Sequence, residues 1–343
     1  MKKLILSIAV TITFLTGCQE KSNYYRITGY AQGGTYNVTY CDSDTSGNIV
    51  TAGPDSLKKA IDLALLAIDN SLSGYNKNSI LTRVNQNLTD SVDYLFEDMF
   101  RVSYEIYLET GGKFDPSAAP LFDIWGFGFK EKEAISQEKI DSIKRFVGMD
   151  KASVENGRIV KKDPRFKLNF NAIAQGYSCD VVASVLEKHG VCHYLVEVGM
   201  EICCRGLNPS ASEWKIGVDT PEDGNMEAGK KITEVIAVTD VGIVTSGNYR
   251  KFFIEDGKKY SHTIDPTLGY PVKHHLLSAT IIAPNASLAD AYATYCMVIG
   301  LEGSKEFLSS RPDLKGYLIY QTPEGKMETY YTDNLKYQLV KGQ

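Results

Sequence analysis

Ser261-His262-Thr263-Ile264-Asp265-Pro266 opens the stretch that decides how this chain folds, a stretch that continues to Gly300. Asp265-Pro266 cannot continue a helix, and Gly269-Tyr270-Pro271 interrupts the chain again, so this part is predicted to be a strand end that leads into a turn. The run Ser287-Leu288-Ala289-Asp290-Ala291-Tyr292-Ala293-Thr294 follows. Ser287 stands where a helix N-cap belongs and Gly300 where a helix would stop, so we predict a helix between them.

Asp290 and Thr294 are four residues apart on this predicted helix, so their side chains share one face. A carboxylate and a hydroxyl placed in this way are hard oxygen ligands that suit Mg2+ or Ca2+. His262 is of a type that titrates near neutral pH and can accept a proton. The same pair also occurs on ordinary helix surfaces, and a histidine before Asp-Pro is often structural, so the residues alone leave both possibilities open.

The N-terminus has the pattern of a signal peptide over residues 1–18. Lys2 and Lys3 precede an apolar run, which ends in Leu15-Thr16-Gly17-Cys18. This ending resembles a bacterial lipoprotein lipobox, which implies cleavage before Cys18 and lipidation of its thiol. An ordinary secretory signal that ends in Cys is the alternative. Residues 19–27 are predicted to be a tether and residues 28–340 a single domain.

Charge and motifs exclude several classes of protein. The formal net charge of −5 becomes −7 without Lys2 and Lys3, which gives no electrostatic support for binding nucleic acid. The chain contains no Walker loop, no Gly-x-Gly-x-x-Gly and no Gly-x-Ser-x-Gly. The six cysteines after Cys18 show no zinc spacing, and their strand and helix settings favour free buried thiols.

Hydrophobic periodicity predicts a mixture of helices and strands without internal repeats. The predicted helices cover 55–72, 90–110 and 136–148, and a fourth enters from 169–177 and ends at Gly190. The predicted strands are a pair within 25–40, then 193–199, 214–218, 232–244, 277–283 and 316–321. The aromatic segment 119–128 is predicted to be a rigid loop, either stacking on a planar ring or covering the core.

Taken together, these runs resemble the ApbE family of flavin transferases, which move FMN from FAD to a protein. The resemblance extends from Gly33 to Gly300 and includes Gly34-Thr35-Tyr36, Leu72-Ser73-Gly74-Tyr75, Gly112-Lys113-Phe114-Asp115-Pro116, Trp125-Gly126-Phe127-Gly128, Asn171-Ala172-Ile173-Ala174-Gln175-Gly176-Tyr177, Tyr194-Leu195-Val196-Glu197-Val198-Gly199 and Thr245-Ser246-Gly247-Asn248-Tyr249. The strongest pieces are the His262 and Asp290 runs quoted above. So many blocks in one order are highly specific.

The resemblance implies a fold and a set of site residues. The fold would be α/β of the α+β type, with an antiparallel, T-fold-like sheet and helices packed on it. Asp290 and Thr294 match side-chain ligands of Mg2+, Ala172 a backbone-carbonyl ligand, and His262 the proposed general base. The positions matching the FAD site are Gly33, Tyr75, Lys113, Phe114, Asp115, Asn169, Gln175 and Ile264.

The activity implied is Mg2+-dependent transfer of FMN from FAD to a Thr or Ser hydroxyl of an exported flavoprotein, with release of AMP. A subunit of an ion-pumping quinone reductase complex is one such acceptor. The lipobox implies anchoring to a bacterial membrane facing the periplasm. Hydrolysis of FAD to FMN and AMP, and a lipid-anchored FAD-binding protein without turnover, are the alternatives.

Four positions depart from the family pattern. Asn169 replaces the usual Asp and Gln175 the usual Lys, so one charge of each sign disappears. Gly33 replaces the usual Met, which opens space near the flavin. Met200 replaces a second Gly after Gly199 and narrows the backbone there.

Overall fold

A computed structural model of the chain describes residues 23–43, 52–128, 132–222, 229–249, 252–255 and 258–340. The predicted signal peptide, with Cys18, lies outside the described residues. The first strand begins at Tyr24, inside the stretch predicted as a tether. No helix of the described residues is long and apolar enough to cross a lipid bilayer.

The described residues form seven α-helices, five of which lie between the second and third strands of the chain. The α-helices are α1 (Pro54–Leu72), α2 (Ile80–Asn85), α3 (Tyr94–Glu109), α4 (Ala119–Ile124), α5 (Gln137–Lys144), α6 (Ala174–Lys188) and α7 (Ala286–Ser310). Short 3-10 turns cover Pro116–Ala118, Met149–Lys151 and Asp333–Gln338. The strands are β1 (Tyr24–Ala31), β2 (Gly34–Cys41), β3 (Ala152–Glu155), β4 (Arg158–Lys161), β5 (Tyr194–Val198), β6 (Glu201–Arg205), β7 (Trp214–Asp219), β8 (Ile232–Val238), β9 (Val241–Gly247), β10 (Phe252–Glu255), β11 (Lys258–Ser261), β12 (Ile264–Asp265), β13 (Tyr270–Pro271), β14 (Leu276–Ala283), β15 (Lys315–Gln321) and β16 (Met327–Tyr331).

Eight strands form one antiparallel sheet in the order β1-β2-β5-β6-β9-β14-β15-β16. The other strands form two-stranded hairpins, of which β12–β13 carries the Asp265-Pro266 turn. An antiparallel sheet with helices packed on it is the predicted fold class, which is therefore confirmed.

The sheet has a helical layer on one face and a hairpin on the other. Because side chains alternate along a strand, Ile281 packs into the helical core while its neighbour Ile282 packs with the β7–β8 hairpin. Val244 and Ile243 of β9 divide in the same way. Helices α1 and α6 cover the β2 and β5 end of the sheet, and α7 covers the β9 and β14 end, with α3 in the same core cluster as α7.

The helix α1 matches its prediction because its apolar residues recur every three or four positions. Leu57, Ile61, Leu65 and Ile68 are all buried, as the sequence predicted. The predicted helix at 90–110 starts later, at Tyr94, because the Asp93 side chain accepts a hydrogen bond from Phe96 N (2.9 Å) and caps it there.

Three other predicted elements differ from the structure. The strand predicted at 232–244 is two strands, β8 and β9, joined at Asp240, which has a positive φ of 54°. The predicted loop 119–128 contains the short helix α4. The N-cap of α7 is Asn285 rather than Ser287, and the helix kinks at Gly300 (φ 73°) instead of ending there.

Candidate active site

A cavity of about 630 Å3 collects segments that are far apart in the chain. Its wall is formed by the 113–127 segment, the approach to α6, the end of β9, the β11–β12 connection and the first half of α7. Ten of the predicted site residues line it, namely Tyr75, Lys113, Phe114, Asp115, Asn169, Ala172, His262, Ile264, Asp290 and Thr294. The structure therefore brings the predicted base, metal ligands and most predicted FAD contacts into one site.

His262 follows the last residue of β11 and enters the cavity half-buried. The Phe127 ring meets the imidazole edge to face, with 6.5 Å between ring centroids. The chain after His262 is held by a hydrogen bond from Val272 N to Thr263 O (3.0 Å) and by the β12–β13 pairing. Trp125 Nε1 donates to Gly269 O (2.9 Å), which joins this hairpin to α4.

Lys113 reaches across the cavity wall to the same hairpin. Its Nζ lies 2.7 Å from Asp265 Oδ2, and the Asp265 side chain is only 7% exposed. Asp265 Oδ1 also accepts hydrogen bonds from the backbone and hydroxyl of Thr267. Burial alone would raise the pKa of Asp265, but the hydrogen bonds from Lys113 and Thr267 outweigh it and hold the pKa below the usual value. This ion pair fixes a cationic group beside the cavity.

Asp290 is a buried carboxylate on the first turns of α7. Its Oδ2 accepts a hydrogen bond from Gly176 N (3.1 Å) at the start of α6. Burial raises the pKa of Asp290 to about 7, with the Gly176 hydrogen bond acting against it and the nearby Asp180 carboxylate adding to it. Among the residues that the structure describes, no cationic side chain contributes to the pKa of Asp290.

Thr294 lies one turn after Asp290, as the spacing predicted, and both line the cavity. Its Oγ1 is 3.4 Å from Ser246 Oγ on β9. The described residues contain no group of three or more His, Cys, Asp or Glu that could hold a metal ion. A cation site built from the described residues would therefore hold fewer than three such side chains, and hydroxyl and carbonyl oxygens would complete it.

The ApbE family model matches residues 32–318. This chain belongs to the ApbE family. It is 34% identical over 356 residues to the FAD:protein FMN transferase of Escherichia coli K12, covering 98% of this chain and 97% of that protein. It is 31% identical over 341 residues to the protein of the same name from Haemophilus influenzae, covering 95% of each.

Solved structures of ApbE proteins share its fold. The apo form of the Pseudomonas stutzeri flavinyl transferase ApbE superposes with a TM-score of 0.81 at 28% identity, covering 94% of this chain and 98% of that one. The flavin transferase ApbE from Vibrio cholerae gives 0.79 at 28% identity, covering 92% and 99%. The predicted resemblance to the ApbE family is confirmed by sequence and by fold.

Two residues that the ApbE resemblance assigned to FAD lie outside the cavity wall. Gly33 occupies the two-residue turn between β1 and β2, with φ of 77° next to Gln32 at 54°, which is the backbone of a type I′ hairpin. Gln175 packs against Gly199, where an added Cβ would come within 1.9 Å of the Gln175 side-chain nitrogen.

Among the other residues predicted to contact FAD, Asp115 and Asn169 lie in short hydrogen-bonded turns. Asp115 Oδ1 accepts from Ser117 N (2.8 Å) and Ser117 Oγ (2.6 Å), while burial raises the pKa of Asp115 to about 7. Asn169 Oδ1 accepts from Asn171 N (2.9 Å), and Asn171 Nδ2 donates to the Tyr75 hydroxyl (3.2 Å). These short turns hold polar groups in the cavity wall.

Several cavity residues were not predicted as site residues. Phe127, Asn171 and Ser246 line the wall and lie inside runs that carry the family resemblance. Their presence in those runs was the available signal. Glu201 also lines the wall, at the first position of β6, a strand that the sequence analysis did not predict.

Proposed function

We propose that this protein is an FAD:protein FMN transferase that uses Mg2+ to move FMN from FAD to a Thr or Ser hydroxyl of an exported protein. The observation that carries this proposal is the single cavity that gathers His262, Lys113, Asp290 and Thr294 from separate segments. The relatives named above carry the same activity in their names, over nearly the whole length of this chain.

The cavity suits a large, partly planar, anionic ligand. Its volume of about 630 Å3 falls within the range of small-molecule sites. Phe127 and Phe122 supply aromatic surface, on which a planar ring can stack. Lys113 supplies a fixed positive charge toward phosphate oxygens. The Asn169–Asn171 turn and Tyr75 supply hydrogen-bonding groups in the wall.

The residues around Asp290 fit a divalent cation. A buried carboxylate whose pKa is raised to about 7 gains most from a nearby cation, because the cation restores the ionised form. Asp290, Thr294 and Ala172 offer the oxygen types that Mg2+ prefers. Bound Mg2+ would neutralise the pyrophosphate charge and stabilise the leaving AMP.

His262 would act on the acceptor. Its imidazole takes the proton from the Thr or Ser hydroxyl as that oxygen bonds to the FMN-side phosphorus. The bond from this phosphorus to the bridging oxygen breaks, and the oxygen leaves with AMP. Lys113 holds phosphate oxygens in place during the displacement, and Phe127 holds the imidazole edge. The product is a phosphoester between FMN and the acceptor protein.

The location proposed for this reaction is the periplasmic side of a bacterial membrane, with the chain anchored through lipidated Cys18. The support is the Leu-x-Gly-Cys ending of the predicted signal peptide. Acceptors would then be exported flavoproteins, of which subunits of ion-pumping quinone reductases are one class. Metabolic labelling with a radioactive fatty acid, compared between the full chain and Cys18→Ser, tests the anchor.

One assay tests the reaction itself. The protein is incubated with FAD, Mg2+ and a candidate acceptor, and covalent flavin is read by in-gel fluorescence while AMP is measured in solution. We expect fluorescence on the acceptor together with AMP, and neither with Asp290→Ala. AMP without labelled acceptor would identify an FAD pyrophosphatase instead. FAD binding with no AMP would identify a carrier and overturn the proposal.

A further inference from the structure

Helices α6 and α7 meet at their first turns through two pairs of residues. Gly176 and Asp180 are one turn apart on α6, and Ala286 and Asp290 are one turn apart on α7. We call these four residues, with Ser287, the α6–α7 clasp. Asp290 is the member of the clasp that lines the cavity, whereas Gly176, Asp180, Ala286 and Ser287 do not line it.

The first half of the clasp is a close approach of backbones. A Cβ added at Gly176 would come within 2.3 Å of Ala286 O and 2.8 Å of Asp290 Cβ, so only glycine fits at this position. The same closeness lets Gly176 N donate to Asp290 Oδ2. This contact sets the distance of the Asp290 carboxylate from α6.

The second half of the clasp fixes the start of α7. Asp180 Oδ1 accepts from Ala286 N (2.9 Å), and Asp180 Oδ2 accepts from Ser287 N (2.8 Å) and from the Ser287 hydroxyl. Both carboxylate oxygens are therefore used on unpaired N–H groups of the helix N-terminus. A negative charge is also favourable at that end of a helix. Asp180 holds the turn from which Asp290 projects.

We propose that Asp180 is a positioning residue for Asp290, which fixes the first turn of α7 and so sets the geometry of the cation site. This inference rests on the proposed role of Asp290 as a cation ligand. Groups that orient metal ligands from behind typically change metal affinity by about 10- to 100-fold when they are replaced. Loss of Asp180 should therefore weaken cation binding even though Asp180 does not line the cavity.

Asp180→Asn is the direct test. The amide of Asp180→Asn keeps one oxygen acceptor, but its NH2 group faces an N–H donor of α7. The hydrogen bonds accepted by one of the two carboxylate oxygens are therefore lost. Mn2+ alone is titrated into the wild type and the variant, and free Mn2+ is measured by electron paramagnetic resonance. We expect the dissociation constant to rise by about 10- to 100-fold in Asp180→Asn.

The matched control is Asn285→Ala. Asn285 caps the same helix by accepting a hydrogen bond from Leu288 N, which is not part of the clasp. It should lower the melting temperature while the Mn2+ affinity stays at the wild-type value. An equal loss of Mn2+ affinity in both variants would mean that general weakening of α7 explains the effect, and would overturn the inference.

Asp290→Asn separates this inference from the proposed function. If Mn2+ binding survives Asp290→Asn unchanged, the cation role of Asp290 fails and the inference fails with it. If Asp290→Asn abolishes binding but Asp180→Asn leaves it intact, the cation site stands and only the positioning role is wrong. Should Asp180→Asn not fold, Ser287→Ala removes one donor from the grip, and an unchanged Mn2+ affinity there would also refute the role.

Discussion

Lys113 offers the sharpest test, because the structure gives it two separable tasks. Its Nζ pairs with the buried Asp265 carboxylate at 2.7 Å, and it lines the proposed FAD cavity. Lys113→Met keeps the length of the side chain but removes its charge. The variant should lose stability because Asp265 keeps its negative charge without the cation, and it should lose FAD affinity because a phosphate contact is gone.

The loss of stability can be bounded from the two exposures. Removing one partner of a fully buried pair costs about 3–5 kcal/mol, whereas exposed pairs contribute about 0–1 kcal/mol. The Lys113 side chain is 36% exposed, and Asp265 retains donors from Thr267 and Leu268, so the cost lies between these limits. We expect about 2 kcal/mol in the free energy of unfolding at neutral pH, the scale of one hydrogen bond to a charged group.

The double variant Lys113→Met with Asp265→Asn separates the two tasks. The Asp265→Asn amide oxygen can still accept from Thr267 N, but no buried charge remains without its partner. Urea unfolding should therefore show the double variant to be more stable than Lys113→Met alone, with a coupling energy of about 1–2 kcal/mol. FAD affinity, measured by flavin fluorescence, should stay as low as in the single variant.

The pH dependence of the stability provides a further check on the Lys113–Asp265 ion pair. The pKa of Asp265 is held below its usual 3.8, so the stability linked to this shift is complete above that value. It is lost as the pH falls through the lowered pKa of the folded state.

A coupling energy near zero at neutral pH, or FAD affinity that returns with stability in the double variant, would refute the reasoning.

Three further predictions follow from the same structure. His262→Ala should lower FMN transfer by about 10^2- to 10^4-fold while FAD binding persists. The control is His275→Ala, which replaces an exposed histidine and should transfer FMN normally. Full transfer by His262→Ala would remove His262 from the mechanism. Burial holds the pKa of His274 below 6.5. The stability linked to this shift, measured by urea unfolding, should be fully present above pH 6.5 and should be lost as the pH falls through the pKa of the folded state. This loss should be absent in His274→Gln. Ile281→Ala, at a fully buried position, should lose about 2–5 kcal/mol in urea unfolding, and a loss below about 1 kcal/mol would contradict the assigned core.

The sequence predicted well where one local rule decides the structure. The spacing of Leu57, Ile61, Leu65 and Ile68 fixed α1 because burial follows the helical period directly. The four-residue separation of Asp290 and Thr294 predicted that both lie on one face of α7, and both line the cavity. Such features depend on residues within a few turns of each other.

The sequence predicted less well where tertiary contacts decide. Asn285 rather than Ser287 is the N-cap of α7, because Ser287 already donates to Asp180, more than 100 positions earlier in the chain. The kink at Gly300 does not end the helix, because His274 Nε2 bonds Met297 O (2.7 Å) at the break. Neither partner could be identified by sequence periodicity, since both come from other elements.

Asn169 and Gln175, two of the predicted departures from the family pattern, each have local contacts in this structure. Asn169 uses its side-chain oxygen to accept from Asn171 N, a bond that an Asp would also make, so the turn survives without the charge. Gln175 packs on Gly199, where an added Cβ would come within 1.9 Å of the Gln175 amide nitrogen and 3.2 Å of a Glu201 carboxylate oxygen. In the proposed FAD complex, neither Asn169 nor Gln175 supplies a charge, so the negative charge of the ligand would be met elsewhere in the wall. Lys113, fixed by Asp265, is the cationic side chain that the described cavity wall presents for that purpose.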